Sequence, residues 1–193
     1  MRALYGRRQS NRLQTVGIFA VLGGASGTIA ILIARFVPLP EISVFSWLDL
    51  SGLTVLPGLM FGSTIGVALY RRDLIRLWGG AVYAAASTLS YLSAFTLIRH
   101  VLADALNSLE LTGAMAGLFG SALLTGATAL LFSFARQRRP AILMLGSGCL
   151  LGALLRIMFT GDSVIYAILF FALWQAGYAA SLATALPLGG RDS

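Results

Sequence analysis

The sequence predicts an all-α, polytopic membrane protein: a bundle of six transmembrane helices with its N-terminus and C-terminus cytoplasmic. Three observations carry that expectation. The 193 residues are 58% hydrophobic and only 11% charged, which lies outside the range of soluble globular domains. An α-helix needs about 20 apolar residues to cross a hydrocarbon layer roughly 30 Å thick, and such windows recur near 15–37, 53–70, 77–98, 111–135, 141–159 and 163–186. Finally, the basic residues are distributed unevenly between the windows. All 14 are arginine, and 11 of them sit before the first window (Arg2, Arg7, Arg8, Arg12), between the second and third (Arg71, Arg72, Arg76), between the fourth and fifth (Arg136, Arg138, Arg139) or after the last (Arg191). Six crossings put all of these on one side, which the positive-inside rule makes the cytoplasm. Five of the seven acids, Glu41, Asp49, Asp104, Glu110 and Asp162, fall on the other side. The expected location is the cell (inner) membrane, multi-pass, with residues 1–193 forming a single helical domain.

The first window, "TVGIFAVLGGASGTIAILIARFV", is longer than a secretory h-region and runs into "PLPE" without a small-residue cleavage site, so it reads as a retained helix. The connection after it, "PLPEISVFSWLDLSG" (38–52), sets Phe45 and Trp47 beside Asp49, a mixture suited to the headgroup boundary. In the second window Gly58, Gly62 and Gly66 share one stripe. An interior glycine costs about 1 kcal/mol against alanine in an aqueous helix, but in lipid such a stripe lets two backbones approach closely. The third window leads into "RHVLADALNSLE" (99–110), where Leu102, Ala105, Leu106 and Leu109 share a face; this predicts a short amphipathic helix lying on the outer surface.

Small residues at four-residue spacing recur elsewhere. They are Ala20, Gly24 and Thr28 in the first window, Ala86, Ser90 and Ala94 in the third, and Gly113, Gly117, Ser121 and Thr125 in the fourth. The fifth has Gly148 and Gly152, and the sixth has Ala172, Ala176, Ala180 and Thr184. Such faces serve packing inside the bundle or docking of another integral membrane subunit, with Gly24, Gly58, Gly62, Gly66, Gly113, Gly117, Ala176 and Ala180 the residues expected to carry it. A short echo, "LMFGS" at 59–63 and "LMLGS" at 143–147, is what so restricted an alphabet produces by chance.

Ionisable groups inside a membrane mark functional sites because burying a charge there costs at least a few kcal/mol. No carboxylate falls near the middle of any window, which argues against a proton or sodium relay built on Asp or Glu. The most central polar residue is Gln175, flanked by Trp174 and Tyr178. Its amide needs partners, from Ser87, Thr88, Ser90 or Tyr91 of the third window or from a bound solute. Three arginines break the charge asymmetry: Arg35, Arg99 and Arg156. Together with Asp49, Asp104, Glu110 and Asp162 they could ring an outward-opening cavity, where a guanidinium fork suits a carboxylate or phosphate. The alternative is that they snorkel to lipid headgroups. The expected ligand-binding residues are Arg35, Asp49, Arg99, Arg156, Asp162, Trp174 and Gln175, for a small-molecule ligand.

No catalytic residue is expected, and the chain does not read as an enzyme. "GASG" at 24–27 matches the GxSG of rhomboid-type intramembrane proteases, but Ser26 falls at mid-membrane and the only histidine, His100, at an outer helix end; a serine nucleophile needs its base within hydrogen-bond reach. One cysteine, Cys149, and one histidine supply no metal cluster, disulfide or bis-histidine haem site. No metal and no cofactor is expected. The net charge of +7 is accounted for by topology and by anionic inner-leaflet lipid, without a nucleic-acid partner, since no basic domain stands outside the membrane.

The stretch "PLPEISVFSWLDLSGLTVLPGLMFGSTIGVALYRRDLIR" (38–76) carries Asp49, Ser51, Pro57, Phe61, Gly62 and Gly66 in that order. It resembles the corresponding part of S-components of energy-coupling-factor (ECF) vitamin transporters, the riboflavin-type ones especially. The resemblance implies a six-helix bundle that binds a small vitamin-like molecule from outside. It also implies docking, through small residues of the first helix, onto a transmembrane coupling subunit driven by two ATPases. The expected function is therefore a small-solute binding and transport protein, the substrate-binding subunit of a larger transporter. The alternative is a non-catalytic scaffold or accessory subunit that docks through its small-residue faces.

Overall fold

The computed structural model describes residues 2–37, 43–45, 48–49, 52–102, 106, 108–132, 138–159 and 164–186. The chain opens with α1 (Arg2–Phe36) and then forms a small antiparallel hairpin of β1 (Ser43–Phe45) and β2 (Leu48–Asp49). There follow α2 (Gly52–Tyr70), α3 (Leu77–Leu97) with a π-helical turn over Ile98–Leu102, α4 (Leu109–Leu131), α5 (Arg138–Gly152), α6 (Leu155–Phe159) and α7 (Val164–Ala183). Five stretches, Asn11–Phe36, Leu77–Leu102, Leu109–Leu131, Arg138–Met158 and Val164–Ala183, are long and apolar enough to cross a membrane. Apart from the hairpin the architecture is all-helical, and these five helices fit a multi-pass membrane protein. The second predicted span is apolar over Thr54–Tyr70 but shorter; at about 1.5 Å per residue it falls a few Å short of a full hydrocarbon layer.

The helices form a closed ring. Each of α1 to α4 packs on the next, and α7 closes the circle between α5 and α1. Inside the ring, one apolar cluster gathers Phe19, Phe61, Leu69, Tyr83, Phe132, Met144 and Leu186 at the end where α2 turns into α3. A second, with Ile31, Tyr91, Leu155, Phe171 and Trp174, fills the opposite half. The outside of the ring is also apolar: Leu130 is 82% exposed, Leu150 74% and Val21 70%. A belt of that kind would be an aggregation hazard in water and is at home in lipid.

Glycine sets the closest helix approaches. A Cβ added at Gly58 would come within 2.7 Å of the Thr88 Cα, at Gly62 within 2.6 Å of the Ala84 Cα, and at Gly66 within 3.0 Å of the Gly80 carbonyl oxygen. The stripe of α2 is therefore spent on α3. Gly113 and Gly117 of α4 lie equally close to Gly148 and Gly152 of α5. Ser90 and Ala94 use a second face of α3 to meet Gly120 of α4. On α1 the closest approach to α7 is made by Gly23 and Gly27, where a Cβ would meet the Gln175 and Phe171 carbonyl oxygens at 2.5 and 2.7 Å. Gly24, in the stripe expected from sequence, sits one residue off that line, with Ala172 and Ala176 at an ordinary 3.6 Å.

Other boundaries differ from the expectations in ways that have local causes. α1 begins at Arg2, well before the apolar window. Ile98–Leu102 continue α3 as a π-helical turn, and Leu106 N–H reaches the Leu102 carbonyl at 3.0 Å; the rest of the expected amphipathic helix, at 103–105 and 107, lies outside the described residues. The fifth window breaks after Gly152, where the bonding shifts from Ala153 N–H on the Cys149 carbonyl (3.1 Å) to Leu154 N–H on the Leu151 carbonyl (3.1 Å), leaving α6 as a separate turn. The "LMFGS" and "LMLGS" echoes are not equivalent in packing, since Gly62 is pressed against α3 while Gly146 has nothing within 4 Å of the space a Cβ would take.

Candidate functional site

Gln175 of α7 is 1% exposed at the middle of the ring, and its amide is fully engaged. Its Nε2 donates to the Pro57 carbonyl oxygen of α2 (2.9 Å) and to the Tyr91 hydroxyl of α3 (2.8 Å). Its Oε1 accepts from the Ser26 hydroxyl of α1 (2.7 Å). The orientation of the amide follows from the partners: the Pro57 carbonyl can only accept, so it must face the NH₂ group. Ser26 Oγ also lies 2.7 Å from the Gly23 carbonyl, and a hydroxyl has one proton to divide between the two acceptors. Sequence and packing cause this meeting directly. Gly23 and Gly27, on either side of Ser26, let α1 lie on the α7 backbone, which brings Ser26 within reach of Gln175.

An aromatic layer lies against this polar node. Trp174 meets Tyr91 edge-on at 4.7 Å and 74°, and Phe171 stacks on Tyr91 at 6.3 Å and 21°. The Trp174 indole N–H donates to the Gly148 carbonyl of α5 at 3.3 Å. Beyond this layer, between α3, α4, α6 and α7, opens a cleft with a cavity volume of about 30 Å³, walled by Phe95, Ile98, Ala116, Leu155, Phe170 and Phe171 and floored by Tyr91 and Trp174. On the other side of Tyr91 and Trp174 lies a smaller void of about 10 Å³ between Phe61, Ser121, Gln175 and Tyr178. A water needs some 10–15 Å³ and polar partners, so the cleft has room for one or two small groups. Among its lining residues only Tyr91 and Trp174 carry a polar side-chain group, and both groups are already bonded within the protein. Thr125 and Tyr178 share a hydrogen bond of 3.1 Å below, whereas the buried Ser87 and Ser121 hydroxyls meet no partner among the described residues.

The residues singled out from sequence are distributed as follows. Trp174 and Gln175 lie together at the floor of the cleft and in the polar node. Arg35 is exposed at the end of α1, and Arg99 and His100 are exposed in the π-helical turn. Arg156 of α6 pairs with Glu110 in the first turn of α4, both well exposed. None of Arg35, Arg99 and Arg156 is among the residues that wall the cleft. Asp49 belongs to β2, and Asp162 lies outside the described residues. Ala176 and Ala180 are half-buried, and Ala176 lies against Gly24 of α1. Among the described residues no group of three His, Cys, Asp or Glu side chains comes together. Sequence reasoning missed Ser26 as the amide's partner, along with Phe95, Phe170 and Phe171 as cleft walls; the aromatic density of "YAILFFALW" (166–174) was the available signal for the last two. No family model, curated protein or solved structure matches the chain.

Proposed function

We propose that this chain is a small-solute binding and transport protein of the inner membrane, crossing it six times with both termini in the cytoplasm, and that it is the substrate-binding subunit of a larger transporter. The observation that carries the reading is the aromatic cleft floored by Tyr91 and Trp174, at the end of the ring away from the α2–α3 turn with Arg71, Arg72 and Arg76. With the arginine-rich end inside, that cleft faces outward. The resemblance of residues 38–76 to ECF S-components supports the same assignment. A solute larger than one or two small groups enters only as the ends of α3, α4 and α7 part, and the π-helical turn at Ile98–Leu102 gives α3 a place to yield.

Docking of a partner through the glycine faces is the rival reading, that of a scaffold or accessory subunit. Gly58, Gly62, Gly66, Gly113 and Gly117 are occupied by neighbouring helices, and Gly24 and Ala176 meet each other at ordinary contact distance, so only their half-exposed edges and that of Ala180 remain for a partner. The deciding experiment is thermal unfolding of the detergent-purified protein against a panel of vitamins and other small metabolites. One solute should raise the midpoint, by mass action worth about 2.7 kcal/mol at a hundred times Kd, and Trp174→Ala should abolish that rise. A panel without effect, together with native co-purification of partners that lack ATP-binding sequences, would favour the rival.

A further inference from the structure

We propose that the α2–α3 turn and the facing turn of α1 form a binding site for the phosphate of an anionic membrane phospholipid. Arg71, Arg72 and Arg76 are presented by a hydrogen-bonded turn: Arg72 N–H reaches the Leu69 carbonyl at 3.2 Å, Asp73 N–H the Tyr70 carbonyl at 2.9 Å, and Leu74 N–H the Leu69 carbonyl at 3.1 Å. Asp73 takes a left-handed φ of 57° to close it, a conformation Asp tolerates better than most residues. Arg72 is fixed in place, its guanidinium lying 5.2 Å from the centre of the Phe19 ring and donating to Thr15 Oγ1 at 3.2 Å. Arg12, one helical turn before Thr15, donates to the Thr184 carbonyl.

The Arg72 guanidinium is thus held against α1 and that of Arg12, on the same face of the bundle end, against the Thr184 carbonyl, with Arg71 and Arg76 exposed in the turn that carries Arg72. Among the described residues no carboxylate pairs with Arg12, Arg71, Arg72 or Arg76. Asp73, the one carboxylate of the turn, is exposed and paired with none of them, so four arginines remain in excess of one acid and leave room for an anion supplied from outside; the planar fork of arginine fits a phosphate. The source is indicated by the neighbours. Tyr70 is 46% exposed, Leu77 69% and Trp78 62% in the same turn, and side chains of that type sit at the depth of lipid headgroups. The ligand is therefore lipid phosphate, not a soluble anion.

Palmitoyl-oleoyl phosphatidylglycerol titrated into delipidated protein in neutral detergent, with bound lipid counted by native mass spectrometry, tests the site. An interfacial arginine is worth roughly five-fold in affinity for an anionic surface, so Arg71→Gln with Arg76→Gln should weaken binding about twenty- to thirty-fold. Neither side chain bonds to another part of the described structure, so the unliganded variant should melt as the parent does. Arg138→Gln with Arg139→Gln removes the same charge from the start of α5 and should leave most of the affinity. Equal loss in both pairs, unchanged affinity in the first, equal binding of phosphatidylcholine, or displacement of the lipid by millimolar inorganic phosphate would each overturn the proposal.

Discussion

Gln175 ties four helices together with one side chain, because its amide and the groups it meets have matching donors and acceptors. In a lipid setting a lost partner finds no water, and the net value of such a bond runs from about 0.6 to 2 kcal/mol. Gln175→Leu removes three contacts and leaves the Tyr91 hydroxyl without its partner, while Ser26 keeps the Gly23 carbonyl, so we expect a loss of about 1–3 kcal/mol in reversible unfolding in mixed micelles. Ser26→Ala should cost less, because Ser26 shares its proton with the Gly23 carbonyl. Combining the two should give less than the sum, by at least about 0.5 kcal/mol; strict additivity would mean that the two side chains do not interact. The Arg156–Glu110 pair behaves differently. Its side chains are 65% and 44% exposed, where solvent screening and side-chain entropy leave an ion pair little net effect. Glu110→Gln should leave the melting midpoint unchanged within error, and a clear fall would show that the pair is shielded in the membrane.

At the level of helices, the decisive quantity is how closely two backbones approach. Gly62→Ala places a methyl 2.6 Å from the Ala84 Cα, so α2 and α3 must separate, which we expect to cost about 1–3 kcal/mol. Gly146→Ala has open space around it and gains the helix propensity that glycine lacks, up to about 1 kcal/mol. Opposite signs for these two chemically identical substitutions, read by the same unfolding assay, would establish the seam; equal signs would remove it. The four-residue spacing of Gly58, Gly62 and Gly66 made a close approach legible from sequence, since no other arrangement gives the glycines a use. Which stripe of α1 faces α7 was not legible. The Gly23–Gly27 and Gly24–Thr28 lines are both small, and only the position of α7 chooses between them. The pairing of Ser43–Phe45 with Leu48–Asp49 was likewise hidden, because Phe45 and Asp49 read equally well as an interfacial loop.

The ring as a whole has two unlike ends, one with the arginine-bearing α2–α3 turn and one with the aromatic cleft. Composition alone announced the apolar helices, and the site was legible only in part. Gln175 and Trp174 stood out as polar and aromatic groups at depth, while the exposed Arg35, Arg99 and Arg156 drew attention because charge is conspicuous in so apolar a chain. The cleft instead uses Phe95, Phe170 and Phe171, which in sequence are indistinguishable from ordinary membrane-facing aromatics. All readings of function depend on which side each end occupies. The most direct measurement is cysteine accessibility in intact and opened cells, on a Cys149→Ser background that removes the single native thiol. Cysteines placed at Asp73 and Arg139 should react with an impermeant maleimide only after the cells are opened, and those at Val37 and His100 from outside in intact cells. Reaction of all four from the same side, or of neighbouring turns in the reverse pattern, would contradict a six-crossing ring whose aromatic cleft faces out.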